Sequence, residues 1–201
     1  MRTPEPVFNF IILVPHRDCI PPLREYRRSL FAAGLAGAYS FPLAAPLALL
    51  SRPLSPSGLR EAAAGLRRAL GSDKITLSSP EQTGTYGCRG AGRFRFFGPG
   101  LDLPSGVFPA VPAPWEKPPL APALLGPGDT ELIRALAEAG TLPAPPELSF
   151  RAAALANLRI FPAGCGEEPY SFRWETERLY WLPRPKKPGG GPLSGKGSKE
   201  P

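Results

Sequence analysis

The chain has 201 residues, 42% of them hydrophobic, so it can build one globular domain or two small lobes without disulfides or a structural metal. The three cysteines, Cys19, Cys88 and Cys165, lie far apart and show no Cys-x-x-Cys or Cys/His spacing. This argues against a disulfide framework and a zinc site and predicts a cytoplasmic protein. A formal net charge of +7 permits a polyanionic partner.

Strands and helices alternate in the N-terminal half. The apolar run at 7–14 is too short to cross a bilayer, so we predict a buried strand there and no membrane association. Helical spacing of apolar residues predicts helices over 21–34 and 57–70, and the second half of 39–50 reads as a strand. The residues expected to bound the two helices are Gly34, Ser57 and Gly71.

Strands dominate the C-terminal half. The predicted strands are 74–79, 92–97, 149–161 and 171–182, and a helix is predicted over 130–139, capped by Asp129, after a proline-rich connection at 109–128. Two groups of strands with attached helices indicate an α+β fold with mainly antiparallel sheets rather than a doubly wound sheet.

The last segment, 183–201, is rich in Gly, Pro, Lys and Ser, which predicts a disordered basic tail. The predicted folded domain is therefore 1–182, where 19 basic residues face 16 acidic ones. That surplus permits binding of nucleic acid by the folded part but does not indicate it.

Two segments in opposite halves look alike. Residues 45–53 and 153–160 both have a small-Leu-Ala core, an apolar continuation and a basic residue near the end. The repetition suggests a weak internal duplication, and two matched strands facing each other across a cleft would form a natural active site.

The order of elements resembles the 2H phosphoesterase superfamily, which includes RNA 2',3'-cyclic phosphodiesterases and 2'-5' RNA ligases. The resemblance covers 7–182 and rests on the order of the elements and on the types of residue in the strands. It implies a bilobed fold with antiparallel sheets, a pseudo-twofold relation between the halves, and helices packed outside. It also places the two His-x-Thr/Ser motifs of the family at 46–48 and 154–156.

The motif positions depart from the family. There, one histidine acts as base and the other as acid, around a phosphate held by the Thr/Ser hydroxyls. Here the four positions are Pro46, Ala48, Ala154 and Ala156, which neither transfer protons nor donate hydroxyl hydrogen bonds. The only histidine, His16, lies on neither segment. The inherited activity is therefore predicted to be lost, and we expect no catalytic residue, cofactor or metal.

A degenerate member that kept its cleft would bind an RNA end or a nucleotide phosphate. Arg52 and Arg159 are the candidates to hold the phosphate, with Asn157 beside them and with Tyr86, in a flexible Gly-rich loop, at the rim of the cleft. The alternative is that both arginines mark strand ends in solvent.

Two other functions stay open. In the first, apolar residues at the motif positions close the cleft, and the chain is a structural or protein-interaction protein. In the second, relocated chemistry uses carboxylates such as Asp73, Glu81, Glu167 or Glu168. Aromatic residues at alternating positions favour a core role over base stacking; they are Phe94, Phe96, Phe172, Trp174, Tyr180 and Trp181.

Overall fold

The computed structural model describes residues 7–70, 75–87, 93–103, 117–150, 152–162 and 172–182, with side chains for 7–68, 95–103, 117–148, 154–161 and 173–182. Three α-helices and eight strands lie in these ranges. The helices are α1 (Ile20–Ala32), α2 (Pro56–Leu70) and α3 (Asp129–Glu138). The strands are β1 (Phe8–Pro15), β2 (Ala45–Leu50), β3 (Ile75–Gly87), β4 (Arg93–Asp102), β5 (Ala123–Leu125), β6 (Ser149–Phe150), β7 (Ala152–Pro162) and β8 (Phe172–Trp181). Gly71 and the predicted tail, 183–201, lie outside the described residues.

The strands form two four-stranded sheets in which all described pairings are antiparallel. Sheet A has the order β2-β1-β7-β8, and sheet B has the order β5-β4-β3-β6. The chain passes from sheet B to sheet A where β6 is followed by β7. The predicted α+β class with antiparallel sheets is therefore confirmed.

The core has three layers of apolar side chains. Between the sheets, Phe10 and Ile12 of β1 pack with Phe96 of β4 and Leu124 of β5. The other face of sheet A packs against α2, and the other face of sheet B packs against α1 and α3. The described part is thus a stack of helix, sheet, sheet and helices, in which β1 and β7 of sheet A and β4 of sheet B bury side chains on both faces.

Gly34 ends α1 as predicted, with φ at +103°. That conformation favours glycine, and a Cβ here would lie 3.3 Å from Leu132 Cδ2 of α3. Glycine therefore allows both the end of the helix and the close approach of α3.

Several boundaries differ from the predictions. Asp129 is the first residue of α3 rather than its cap, and its Oδ2 accepts a hydrogen bond from Gly126 N at 2.8 Å. β5 lies inside the segment predicted to be a proline-rich connection, because Ala123 and Leu125 fill the apolar layer under α1 and α3. β3 runs on to Gly87, well beyond the predicted end at 79.

Candidate functional site

The two look-alike segments lie in one sheet, on either side of β1. Ile12 is opposite both Pro46 of β2 and Ala156 of β7, and Ile11 is opposite both Ala48 and Asn157. The two segments are therefore separated by β1, about 10 Å apart at two interstrand spacings. They do not face each other across a cleft. Among the described strands, β2 lies at an edge of the sheet and β7 lies inside it. The pseudo-twofold relation between the halves stays a prediction.

The motif positions are packed into the protein interior. Ala154 and Ala156 are 0% exposed and Ala48 is 1% exposed. Ala156 belongs to the cluster between the sheets, and Ala48 belongs to the cluster under α2. A register shift in β2 between Pro46, which is opposite Ile12, and Ala48, which is opposite Ile11, accounts for this difference. Ala48 therefore lies on the face of Ile11, whereas Ala156 is opposite Ile12 and lies on the other face.

Phenylalanine rings occupy the layer between the sheets. Phe10, Phe41 and Phe96 form three edge-to-face pairs with centroid separations of 5.7, 6.4 and 5.5 Å. All three side chains are at most 2% exposed. Edge-to-face aromatic packing at these distances is an attractive, filled arrangement rather than a polar groove.

The predicted binding residues on β7 lie on the other face of sheet A. Successive strand residues alternate between faces, so Asn157 points away from the layer that contains Ala156. Asn157 is 3% exposed, and its Nδ2 donates to the Leu54 carbonyl at 3.1 Å. Its Oδ1 is buried without a hydrogen-bond partner. This side chain therefore tethers the connection between β2 and α2.

Arg159 is engaged by a carboxylate of the neighbouring strand. Its Nε lies 2.9 Å from Glu177 Oε1 of β8. The same Nε is buried and has no hydrogen-bond partner, so the pair is held by charge rather than by an aligned hydrogen bond. The carboxylate of Glu177 therefore neutralises the positive charge of Arg159 that would be needed to bind a phosphate.

Arg52 lies at the same end of sheet A. Leu50, Asn9 and Arg159 form one row across β2, β1 and β7, and exposed Arg52 follows two residues after Leu50. Arg52 and Arg159 therefore lie at the same end of sheet A, whereas Asn157 lies two residues further in, opposite Ile11 in the middle of β1.

Asn9 was missed by the sequence reasoning. It is 6% exposed, and its Oδ1 has no hydrogen-bond partner. The available signal was that Asn9 is the one polar residue in the apolar run at 7–14. A buried amide oxygen without a donor is costly. Asn9 lies between Leu50 and Arg159 in this row, and we call the end of sheet A at this row its polar end.

Tyr86 does not join this group. It lies in β3 of sheet B, opposite Phe94 of β4, rather than in a flexible loop. Thr83, Thr85 and Tyr86 favour extended backbone, and this preference outweighs the nearby glycines. The side chain of Tyr86 is outside the described residues. Of the alternative carboxylates, Asp73, Glu167 and Glu168 are outside them as well, and Glu81 is described only as backbone of β3.

The local contacts of His16 and Cys19 give neither residue a catalytic role. His16 precedes a short 3₁₀ turn, and its Nδ1 lies 2.9 Å from Asp18 Oδ2. Cys19 is a buried free thiol, and burial, helped by Asp18, raises its pKa. A raised pKa disfavours the thiolate, which is the nucleophilic form. Cys88 and Cys165 lie outside the described ranges, within which no group of three or more potential metal ligands is found.

The two tryptophans of β8 contradict the predicted core role, whereas Tyr180 is half-buried against the cluster under α2. Trp174 is 46% exposed and Trp181 is 72% exposed, whereas Phe96 of β4 is buried as predicted. The side chains of Phe94 and Phe172 lie outside the described residues. β8 is the edge strand of sheet A, so it has a neighbour on one side only among the described strands. Side chains of an edge strand are covered only where another layer extends over them.

The comparisons with known proteins give no match, whether with family models, with curated proteins or with solved structures. Within the described ranges, no helix has the length and apolar character needed to span a bilayer.

Proposed function

We propose that the protein is a non-catalytic interaction protein, built on a two-sheet fold resembling that of the 2H phosphoesterases and working through protein contacts. The observation that carries this proposal is the packed interior at the motif positions. Proton transfer to or from a phosphoester needs titratable groups within hydrogen-bond reach of a bound substrate. Ala154 and Ala156 are fully buried, and the layer that Ala156 faces is filled with phenylalanine rings.

A second candidate is a nucleotide or RNA end bound at the polar end of sheet A. The Oδ1 atoms of Asn9 and Asn157 lack donors, but they are closed to solvent, so ribose hydroxyls or base amino groups would have to displace the groups that cover them. Arg52 is exposed and free to contact a phosphate. The contact between Arg159 and Glu177 weakens this candidate, because it places a carboxylate beside the expected phosphate site.

The two candidates differ in their response to an RNA terminus. The full chain is titrated with a short fluorescent RNA ending in a 2',3'-cyclic phosphate and with the same RNA ending in a free 3'-hydroxyl, at low and high salt. An interaction protein with a basic surplus binds both ends equally and more weakly as salt rises, since such binding releases counterions. We expect equal affinities and no hydrolysis.

Matched variants locate any preference for one end. Arg52→Gln removes the exposed arginine at the polar end of sheet A, and Arg60→Gln removes an exposed arginine of α2 as a control. A preference for the cyclic phosphate that is lost only in Arg52→Gln would replace the first candidate with the second. Hydrolysis of the cyclic phosphate by the wild-type chain would refute both candidates.

A further inference from the structure

β8 is an open edge strand with a large apolar surface. Among the described strands it pairs only with β7, and every residue from Arg173 to Leu179 is exposed. Trp174, Leu179 and Trp181 are 46%, 46% and 72% exposed. The outer N–H and C=O groups of such a strand can template pairing with another chain, so proteins normally blunt or cover long apolar edges. The edge of β8 has the properties of an interaction surface.

A bulge divides β8 into two halves with a definite arrangement of faces. The register moves from Thr176 opposite Leu158 to Arg178 opposite Asn157, which leaves Glu177 as the extra residue. Directly opposite residues share a face, so the two faces follow from the register. The face toward the inter-sheet core carries Trp174, Thr176, Leu179 and Trp181, and the face toward α2 carries Arg173, Glu175, Arg178 and Tyr180.

We propose that β8 pairs antiparallel with β8 of a second copy of this chain, about a twofold axis at Thr176. When the extra residue Glu177 is left out of the pairing, the residues on either side of Thr176 match each other in the second copy. Glu175 then lies opposite Arg178 of the second copy, and Trp174 lies opposite Leu179 of the second copy. Because of the twofold axis each of these pairs occurs twice, and Thr176 lies opposite Thr176 of the second copy. The partners in each pair lie on the same face of the sheet, as direct opposition requires.

Charge and exposure favour a second copy over an unrelated strand. The pairing places Glu175 of each copy opposite Arg178 of the other, so unlike charges meet at both positions. Like charges directly opposite each other would be unfavourable. Arg178 takes part in none of the ion pairs found among the described residues, so its charge is available. Two copies of sheet A would become one continuous antiparallel sheet, with each Trp174 beside Leu179 of the other copy on the same face.

Charge reversal tests this pairing. Sedimentation velocity of the full chain over a range of concentrations gives the association constant of the wild type, which we expect to dimerise. Glu175→Arg places two arginines opposite each other at both ends of the interface, and Arg178→Glu does the same with glutamates. Each variant alone is expected to associate about tenfold or more weakly, since like-charge opposition is costly. Far-UV circular dichroism checks that each variant folds.

Mixing the two variants distinguishes this pairing from other contacts. In a mixed pair, both arginines of the Glu175→Arg chain face the two glutamates of the Arg178→Glu chain, so the mixture should recover association near the wild-type level. The control reversals Glu131→Arg and Arg134→Glu change exposed charges of α3 and should leave association unchanged. A monomeric wild type, undiminished association of the single variants, or a mixture that stays dissociated would each overturn the proposal.

The β8 pairing names a second copy of the chain as the partner of the proposed interaction protein, and to that extent it rests on the proposed function. The two fail in different experiments. A monomeric wild type removes the β8 pairing and leaves the non-catalytic function in place, whereas RNA hydrolysis or a preference for the cyclic phosphate end removes the function and leaves the association measurement intact.

Discussion

Arg27 of α1 carries a buried charge with few partners. It is 6% exposed, and its Nε and Nη2 are buried without hydrogen-bond partners. Its guanidinium lies 5.9 Å from the centre of the Tyr39 ring, which offers a weak electrostatic attraction. Burial lowers the pKa of Arg27 to about 10, so the side chain is still charged at neutral pH. Desolvation of an unpaired ion of this kind costs several kcal/mol, more than one ring contact returns.

Replacing this charge with an apolar side chain should stabilise the fold. Arg27→Met keeps a long flexible side chain and removes the desolvation cost, so we expect the free energy of unfolding to rise by about 1 kcal/mol or more. Urea unfolding at pH 7 measures the change. The control is Arg28→Met, which removes an exposed ion pair with Glu25 at 2.7 Å and should shift stability by about 0 to 1 kcal/mol in the unfavourable direction. A clear loss of stability in Arg27→Met would contradict this view of the buried charge.

At the scale of elements, the N-cap of α2 lies earlier in the chain than its sequence pattern indicates. Ser57 looks like the cap because it precedes the apolar repeat, but the helix starts at Pro56 and Ser55 Oγ accepts a hydrogen bond from Gly58 N at 3.1 Å. Proline suits the first helical position, since it has no N–H to satisfy there. Ser57 contacts the cap through its own hydroxyl, with 2.9 Å between the two Oγ atoms.

The two serines should therefore differ in their effect on stability. Ser55→Ala leaves the N–H of Gly58 without its acceptor, and we expect a loss of about 1 kcal/mol in the free energy of unfolding. Ser57→Ala removes only a hydroxyl contact at the helix surface and should cost a few tenths of a kcal/mol. Equal losses, or a larger loss for Ser57→Ala, would contradict the assignment of the cap to Ser55. Thermal unfolding followed by circular dichroism measures both.

Elements with a strong local pattern could be predicted from the sequence, and those defined by distant partners could not. The apolar run of β1 and the helical repeats of α1 and α2 specify their elements by themselves. β5 is short, and it forms because Phe96 and Phe97 of β4 offer an edge for pairing. The extension of β3 to Gly87 likewise depends on β4, which lies opposite it along most of its length.

The candidate site shows the same limit. The sequence led to Arg52, Asn157 and Arg159, which lie in or next to sheet A, with Arg52 and Arg159 near one end and Asn157 in the middle of β7. The sequence could not show what covers the two faces on which Asn157 and Ala156 lie, since the packing partner of each face is set by the whole fold. It also could not show the contact of Arg159 with Glu177, because that contact joins two strands through a bulge.

At the scale of the whole molecule, the position of β7 determines what the motif residues can do. β7 is an interior strand between β1 and β8, and its inner face meets the aromatic layer contributed by both sheets. An alanine at 156 fits beneath that layer, since Phe8, Phe10 and Leu158 belong to the same cluster. A larger side chain would need space that the packing does not leave, because protein interiors are filled nearly as densely as organic crystals.

Enlarging Ala156 therefore separates a filled interior from an open cleft. Ala156→Leu adds apolar atoms to the layer between the sheets, and overpacking of a filled core should lower the free energy of unfolding by about 1–3 kcal/mol. In an open cleft the same leucine would be accommodated with little loss. Ala137→Leu, at an exposed position of α3, is the matched control and should be nearly neutral. Urea unfolding of the three proteins at one pH measures the difference. An unchanged stability of Ala156→Leu would mean that the space between the sheets is open, and the proposal of a non-catalytic interaction protein would lose its main support.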